Sequence, residues 1–517
     1  SYNILTCLDK WAEPVAKEKK NEVKDYRKLW EGFEEEFSKL RKLNNHYNIE
    51  AMVHLLEKYT SFIPSITLKI YSGTDEITYR KHPDISLFDH LKITAAAAVC
   101  LYDYHRHHRA NRWNEEIFIQ EITGEDTWYN EEVFMLIGGD ISGVQKFIYT
   151  ISSKGALKSL KGRSFFLELL TEHTVDRLLE EMRLSRCNVI FTGGGHFYLL
   201  APNVPDVLQA IQMVRKEMND YLFDSFNGTI QQFIEAIPFA KNAFKDPSTV
   251  WGSLSRKLEN AKFRKWEDRI DVLLSEPEMP HSTCLTNNCE VCGREDKPIG
   301  PLSDDAPDVL ACQPCRDQYR LGALLQRSVR GGGRPVIYRY DSRPKSEDCI
   351  QIGNSYYQVS AAGPGKVDVE LDHKASAVLH MNDWNLSNFT HPCSRPLMGT
   401  VYLPEKESCR DLEGMANCGF GMARLAVLRM DVDHLGRIFS TSIPASERTL
   451  SRMASVSRQL SLFFKYHLNG LMERRDGYPT PFMAVNRNQE RRLSCLLYTS
   501  DAADELDGVD LGGRRII

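Results

Sequence analysis

Residues 425–439, LAVLRMDVDHLGRIF, narrow the possible folds more than any other stretch of the chain. They read as a buried strand that ends in two acids, turns at Gly436 and enters a helix. Strand side chains alternate faces, so Asp431 and Asp433 share one face while Leu428, Met430 and Val432 share the other. Two carboxylates at i and i+2 at a strand end can hold a divalent ion, since magnesium takes oxygen ligands from one or two carboxylates plus substrate phosphates. An isolated D-x-D is equally a strand with a polar end, so the rest of the chain decides.

The same grammar occurs earlier. Residues 133–149, VFMLIGGDISGVQKFIY, run an apolar strand into Asp140 and a small-residue turn at Ser142 and Gly143. The helix that follows has Leu160, Phe166, Leu169, Leu170, Val175, Leu178 and Leu179 as its apolar face. Residues 188–201, NVIFTGGGHFYLLA, read as a hairpin with a glycine-rich turn. A helix over 207–221 completes a β-α-β-β-α unit of the ferredoxin-like kind. Polymerase palms and nucleotide cyclases share this topology, although fold alone does not fix chemistry. The second copy runs from its strand into a long helix with Leu450, Met453, Val456, Leu460, Phe463, Phe464 and Leu471 as its core side. The chain therefore reads as an internal repeat. The first copy's hairpin tip, residues 193–196, is Gly-Gly-Gly-His and carries no acids, so that copy reads as catalytically degenerate. The second copy should supply the acids, but its own hairpin does not arrive; it would follow the block 487–492.

The strongest local spacing lies between the copies. Cys289-x₂-Cys292 and Cys312-x₂-Cys315 stand nineteen residues apart. Two such knuckles fit a tetrahedral Cys₄ zinc site, and Gly293 permits the knuckle turn. Four thiolates leave no open coordination position, so the zinc is expected to be structural. Cys284 reads as a spare. Of thirteen cysteines only these four are paired in spacing, which indicates metal usage in a reducing, cytoplasmic setting and not a disulfide scaffold. Residues beyond them, including a strand at Val336–Tyr340, read as a small mixed or β-rich connector. No apolar run reaches membrane-spanning length, there is no signal peptide, and no membrane partner is expected. The formal net charge of -5 argues against broad, sequence-independent coating of nucleic acid and leaves room for a local basic groove.

The first 125 residues read as mostly helical, with Phe33, Phe37, Leu40 and Leu43, and then Met52, Leu55 and Leu56, at helical spacing. Residues 83–98, PDISLFDHLKITAAAA, start a helix with a small-residue face. His90 sits on its first turn beside Asp89. The pair reads either as a capping acid and a surface imidazole or as a ligand site of an all-helical phosphohydrolase. His105, His107 and His108, among Arg and Tyr, read as solvated. At the other end, CLLYTSDAADE (495–505) and GVDLGGRRII (508–517) resemble translated sequencing-library adapter and carry no helical or strand period. No biological function is assigned to 495–517. With a first residue that is not Met, the chain reads as an internal fragment.

Taken together, LLEKYTSFIPS (55–65), DISLFDHLKITAAAA (84–98), GGDISGVQKFIY (138–149), LKGRSFFLELL (160–170), GGGHFYLLAP (193–202), the four cysteines and LAVLRMDVDHLGRIF resemble the large subunit of type III CRISPR effector complexes, subtype III-A in particular. The resemblance covers residues 45–494. It implies an α+β multidomain chain: residues 1–125 the later part of a helical HD-type nuclease domain, 126–280 a first, degenerate palm, 281–320 the Cys₄ zinc element, 321–415 the connector, and 416–494 a truncated second palm. It further implies synthesis of cyclic oligoadenylates from ATP, with magnesium or manganese at the palm, and cleavage of single-stranded DNA at an HD site holding a divalent transition metal. The implied partners are guide RNA, target RNA, the other subunits of the complex and single-stranded DNA.

Carried over by motif, Asp431 and Asp433 resemble the first metal-binding acids of the second palm. Ser142 and Gly143 resemble the first-palm turn that faces nucleotide, and His90 resembles a metal-binding His of a permuted HD fold. Backbone N–H groups of the turn 433–436, ending at Gly436, can cradle phosphate at the following helix start. Lys161 and Arg163 are candidate phosphate contacts or a solvated helix face. The paired His-Asp of an HD domain and the Gly-Gly-Asp-Asp hairpin are absent from the sequence, so the fragment by itself is expected to be inactive. The main alternative is a catalytically inactive scaffold subunit that holds RNA. A free-standing nucleotide cyclase is disfavoured by the zinc element and the helical N-terminal region.

Overall fold

The computed structural model describes residues 22–42, 48–65, 70–71, 77–78, 85–108, 131–152, 155–275, 288–328, 335–346, 348–360, 374–384, 393–394, 416, 422–424, 443–444, 447–467, 483–486 and 489–492. The strand-acid-turn stretch with Asp431, Asp433 and Gly436, together with Leu43, Cys284, Leu471 and 495–517, lies outside them.

The centre of the fold is a four-stranded antiparallel sheet. Strands β1 (Phe134–Ser142), β2 (Val189–Gly193), β3 (His196–Pro202) and β4 (Gln231–Phe239) lie in the order β2-β3-β1-β4. Helices α4 (Val144–Tyr149) and α5 (Ala156–Met182) connect β1 to β2, and α6 (Pro205–Phe226) connects β3 to β4. This is the ferredoxin-like arrangement expected from the sequence, with a fourth strand that the sequence reading had not marked. β4 lies at the sheet edge, where Pro238 is tolerated because its missing N–H faces away from the ladder. Opposite residues of paired strands share a face, so Gly139 and Phe197 point to one side while Gly138, Tyr198, Asp140 and His196 point to the other.

That second side is covered by α7 (Ser248–Lys262). A Cβ at Gly138 would stand 2.9 Å from the Leu254 side chain, and Trp251 packs on Tyr198 with ring centroids 4.6 Å apart. The ferredoxin-like unit is thus a sheet with both faces occupied.

Beyond it, β5 (Ile299–Ser303) and β6 (Ala306–Cys312) form a hairpin that runs directly into α8 (Gln313–Ser328). α8 crosses α5 backbone to backbone. A Cβ at Gly162 would lie 1.7 Å from the Gln318 carbonyl, and one at Gly322 would lie 1.8 Å from the Lys158 carbonyl. Only glycine permits so close a crossing. Because α8 passes through position 320, the cysteine element and the connector are joined by continuous helix.

The connector is a five-stranded sheet of β7 (Val336–Tyr340), β8 (Cys349–Ile352), β9 (Ser355–Ser360), β10 (Ala377–His380) and β11 (Cys393–Ser394), in the order β8-β9-β7-β10-β11. The N-terminal helices dock on it. α1 (Glu22–Lys42) and α2 (Ile49–Thr60) bring Leu29, Leu40, Leu55 and Tyr59 against Tyr338, Tyr340 and Val378. α3 (Leu87–His108) packs on the palm instead, with Ile93, Ala96, Cys100 and Tyr104 in the main core. His105, expected to be solvated, is buried at the edge of the Tyr104 ring, while His107 and His108 are exposed.

α9 (Leu450–Leu462) buries Leu450, Met453 and Ala454. A π turn over Phe463–His467 then widens the helix. A π turn changes the angular step of the residues it contains, and Phe463, read as core from a strict 3.6 period, stands 44% exposed. A short antiparallel hairpin pairs β12 (Met483–Asn486) with β13 (Gln489–Arg492), ahead of the place where the sequence puts the second copy's missing hairpin, which lies outside the described residues. No helix among the described residues is long and apolar enough to cross a membrane.

Candidate functional site

The four cysteines converge. Cys289, Cys292, Cys312 and Cys315 hold their sulfurs within 4.8 Å of one another, and the Cys292 and Cys312 sulfurs are 3.6 Å apart. Tetrahedral zinc-thiolate bonds near 2.3 Å require sulfur separations of about 3.8 Å, so the donor set fits a zinc-sized ion. The first knuckle turns at Gly293, whose φ is +75° and whose N–H donates to the Cys289 carbonyl at 2.7 Å. The second arrives at the end of β6 and the first turn of α8. There the Cys312 N–H donates to the Cys289 sulfur at 3.3 Å. Among the described residues these cysteines are the one group of three or more potential ligands close enough for a metal ion.

The knuckles are bolted to the first palm by cations. Arg294 donates to the carbonyls of Ser225 and Asp224 at the end of α6, at 2.6 and 3.2 Å. Lys158 of α5 reaches Asp305 at 2.8 Å and the Tyr319 hydroxyl at 3.1 Å. Arg163, also of α5, donates to the Cys315 sulfur at 3.2 Å and to the Phe147 carbonyl at 2.8 Å.

Neither Lys161 nor Arg163 stands on a solvated helix face; they are 9% and 3% exposed. Arg163 is turned to the cysteine cluster. The Lys161 ammonium has no hydrogen-bond partner, and burial draws it down to about 7. Helical spacing puts Lys161 on the stripe of α5 that carries Phe165, Glu168 and Glu172. Glu168 meets Lys465, just beyond α9, at 3.0 Å, so this stripe faces the second-copy segment.

At the first-palm turn, Ser142 ends β1 and Gly143 starts α4 with φ +88°. A Cβ at Gly143 would lie 2.0 Å from the Thr229 carbonyl, which makes glycine obligatory twice over. The acid at this strand end is not available to a metal. Asp140 is 5% exposed, its carboxylate is 2.5 Å from the Lys262 ammonium and 3.4 Å from His196 Nδ1. Lys262, from the last turn of α7, thus puts a cation on the carboxylate at this strand end. Sequence alone gave no signal for this pairing, because it joins residues far apart through a helix with no motif.

His90 is exposed on the first turn of α3. Asp89 beside it is buried, and it is no helix cap: Arg458 of α9 holds both its oxygens. A cavity of about 160 Å³ opens where α2, α3, α5, β2 and α9 meet, lined by charged side chains that include Glu57, Lys92, Glu168, Arg458 and Lys465 and by apolar ones that include Val53, Phe88 and Phe191.

Comparisons with known proteins place this geometry. A family model described as the Csm1 subunit domain B matches residues 133–278, and one described as the second palm domain of Cas10/Cmr2 matches 424–483. A curated relative from Methanocaldococcus jannaschii is 28% identical over 87% of this chain and 59% of its own length. One from Enterococcus italicus is 30% identical over 82% of this chain and 53% of its own. Both are described as CRISPR system single-strand-specific deoxyribonuclease Cas10/Csm1 of subtype III-A.

The fold matches the crystal structure of a Csm1–Csm4 subcomplex of the type III-A interference complex with a TM-score of 0.63 at 22% identity, covering 89% of this chain and 53% of that one. A Csm1–Csm4 cassette in complex with one ATP matches with a TM-score of 0.61 at 22% identity, covering 92% and 56%. The chain spans about half the length of the relatives it matches. Across the residues these relatives share with it, the chain is similar to the Cas10/Csm1 proteins of subtype III-A.

Proposed function

We propose that this chain carries the nucleotide-handling part of a type III-A CRISPR large subunit, whose complete form makes cyclic oligoadenylates from ATP when target RNA pairs with the guide. The observation that carries the reading is the asymmetry of the two palms. The first keeps the glycine turn at Gly143 but has its acid neutralised by Lys262. The second matches a palm family over 424–483, the residues that contain Asp431 and Asp433.

In this reading Asp431 and Asp433 would hold a divalent ion, and the chemistry such an ion would supply there is activation of the attacking hydroxyl and compensation of developing negative charge. A 3′-hydroxyl of one ATP attacks the α-phosphorus of another and pyrophosphate leaves. The chain's own residues position the reactants. Ser142 and Gly143 face nucleotide across the palm–palm boundary, the turn at Gly436 cradles phosphate, and Lys161 supplies an unpaired buried ammonium on the side of the second palm. Arg163 is left out of the phosphate site because its guanidinium is committed elsewhere. His90 would serve the HD-type site on single-stranded DNA. Zinc at the four cysteines would be structural, since the set leaves no position for substrate. Solved relatives were crystallised with ATP and with the cyclic products cA3 and cA4, which supports the substrate class.

The scaffold reading is favoured by one observation, the Lys262–Asp140 pair, which speaks only for the first palm. Binding of ATP with Mn²⁺ by the assembled protein tests the nucleotide reading. Substituting Gly143→Ala or Lys161→Met should weaken binding at least tenfold. Binding unchanged in both variants would remove the first palm from the site.

A further inference from the structure

We propose that Arg163 is a positioning residue that couples the Cys₄ metal centre to the glycine turn of the first palm, so that metal loading orders residues 142–149. Arg163 leaves α5 and reaches two targets at once. Nη2 donates to the Cys315 sulfur at 3.2 Å, and Nη1 donates to the Phe147 carbonyl at 2.8 Å. The guanidinium also lies over the Phe147 ring, 4.8 Å from its centroid. That ring is itself packed against Phe166 and Phe226, with centroids 5.7 and 5.1 Å away. Phe147 belongs to α4, the single short helix that follows Ser142 and Gly143.

Charge makes the link more than a contact. A guanidinium stays charged under all working conditions. Burying it demands a counter-charge. Arg163 is 3% exposed, and among the described residues its polar partners are one carbonyl and one sulfur, with no carboxylate. A divalent ion bound by four thiolates leaves a cluster of net charge about -2. The loaded centre therefore supplies the anion that Arg163 lacks, and Arg163 supplies a cation beside Cys315. Outer-shell partners of this kind typically change metal affinity 10- to 100-fold when removed.

The mechanical side follows from α4. Its start is pinned, because Gly143 sits against the Thr229 carbonyl with no room for a side chain. Its other turn is held through Phe147 and Arg163. Loss of the metal releases that second hold. The consequence for catalysis rests on the reading that Ser142 and Gly143 face nucleotide; the coupling itself does not.

The test uses the zinc-loaded protein, measuring zinc affinity by chelator competition and hydrogen exchange of residues 142–149 with and without zinc. Arg163→Met should weaken zinc binding 10- to 100-fold and raise exchange in 144–149 to the level of the zinc-free wild type. Arg163→Lys keeps the charge but cannot span both partners, so it should hold zinc within a few-fold of wild type and still lose the α4 protection. Lys158→Ala removes a different bridge to the cysteine element and should leave both readouts at wild-type values. The proposal is overturned if Arg163→Met binds zinc as tightly as wild type, or if exchange in 144–149 ignores zinc. Should Arg163→Met fail to fold, undiminished α4 protection in Arg163→Lys overturns it equally. Neither readout involves nucleotide, so a failure of the nucleotide reading would leave both unchanged.

Discussion

Arg458 of α9 closes a two-point ion pair on Asp89 of α3, with Nε and Nη2 each 2.9 Å from a carboxylate oxygen. The same guanidinium donates to the Ser61 hydroxyl at 3.0 Å, next to α2. One side chain thus ties the segment matched as second palm to the helix that carries His90. Both members are deeply buried, with side chains 10% and 1% exposed. Removing one partner of such a pair leaves an uncompensated charge and costs about 3–5 kcal/mol. Arg458→Met should therefore lower the urea midpoint sharply, and Arg458→Met combined with Asp89→Asn should recover most of the loss.

The Lys262–Asp140 pair predicts how the first palm treats metals. With Lys262 in place, Mn²⁺ should produce no paramagnetic broadening of signals around Asp140. Lys262→Met should destabilise the fold by about 1–3 kcal/mol, because it strips a buried carboxylate of its main cation. Adding Asp140→Asn should restore stability. Mn²⁺ bound at Asp140 in the unsubstituted protein would contradict the degenerate reading.

The crossing of α5 and α8 depends on two glycines. Gly322→Ala would place a methyl 1.8 Å from the Lys158 carbonyl, a backbone atom that cannot step aside alone. Overpacking of this sort costs about 1–3 kcal/mol or more. The expected result is a lowered thermal midpoint together with weaker zinc retention, since α8 begins at the second knuckle. An unchanged midpoint would mean that the helices separate readily.

Lys161 sets a pH dependence. Burial draws its ammonium from 10.5 down to about 7 in the folded chain. A folded value below the unfolded one means that the unfolded chain binds more protons across this window. The stabilising contribution is therefore complete above pH 10.5 and is lost as pH falls through about 7. Each pH unit is worth about 1.4 kcal/mol, so the full effect is on the order of several kcal/mol. Lys161→Met removes the slope. Urea unfolding at a series of pH values between these limits should show the variant gaining on wild type as pH falls, and a constant difference would refute the placement.

Much of this architecture was legible where pattern and chemistry coincide. The strand–Asp140–glycine turn, the β2–β3 hairpin and the cysteine knuckles each carry local signals: an apolar run, a positive-φ glycine, or a paired spacing. The edge strand β4 was missed because buried Gln232 and Pro238 break the apolar alternation. The Gln232 backbone N–H donates to Asn219 and its side-chain amide to the Asp140 carbonyl, partners supplied by the fold. Lys262 and Arg458 were invisible for the same reason, since each finds its acid across the fold. Arg163 was placed on a helix from sequence, but a cation on a helix reads as solvated or phosphate-bound. Only the approach of Cys315 reassigns it. The docking of α1 and α2 on the connector sheet also has no local signature, because Leu29, Leu40 and Tyr338 signal burial without naming a partner.

The central claim is that the second palm, through Asp431 and Asp433, performs nucleotidyl transfer while the first palm positions. The direct measurement is conversion of labelled ATP to cyclic oligoadenylate by the complete large subunit in its RNA-guided complex, with target RNA present. The account predicts that Asp431→Ala combined with Asp433→Ala abolishes the product, whereas Asp140→Asn combined with Lys262→Met retains it. Product formed at wild-type rate without Asp431 and Asp433, or lost with the first-palm substitutions alone in a folded complex, would contradict the account.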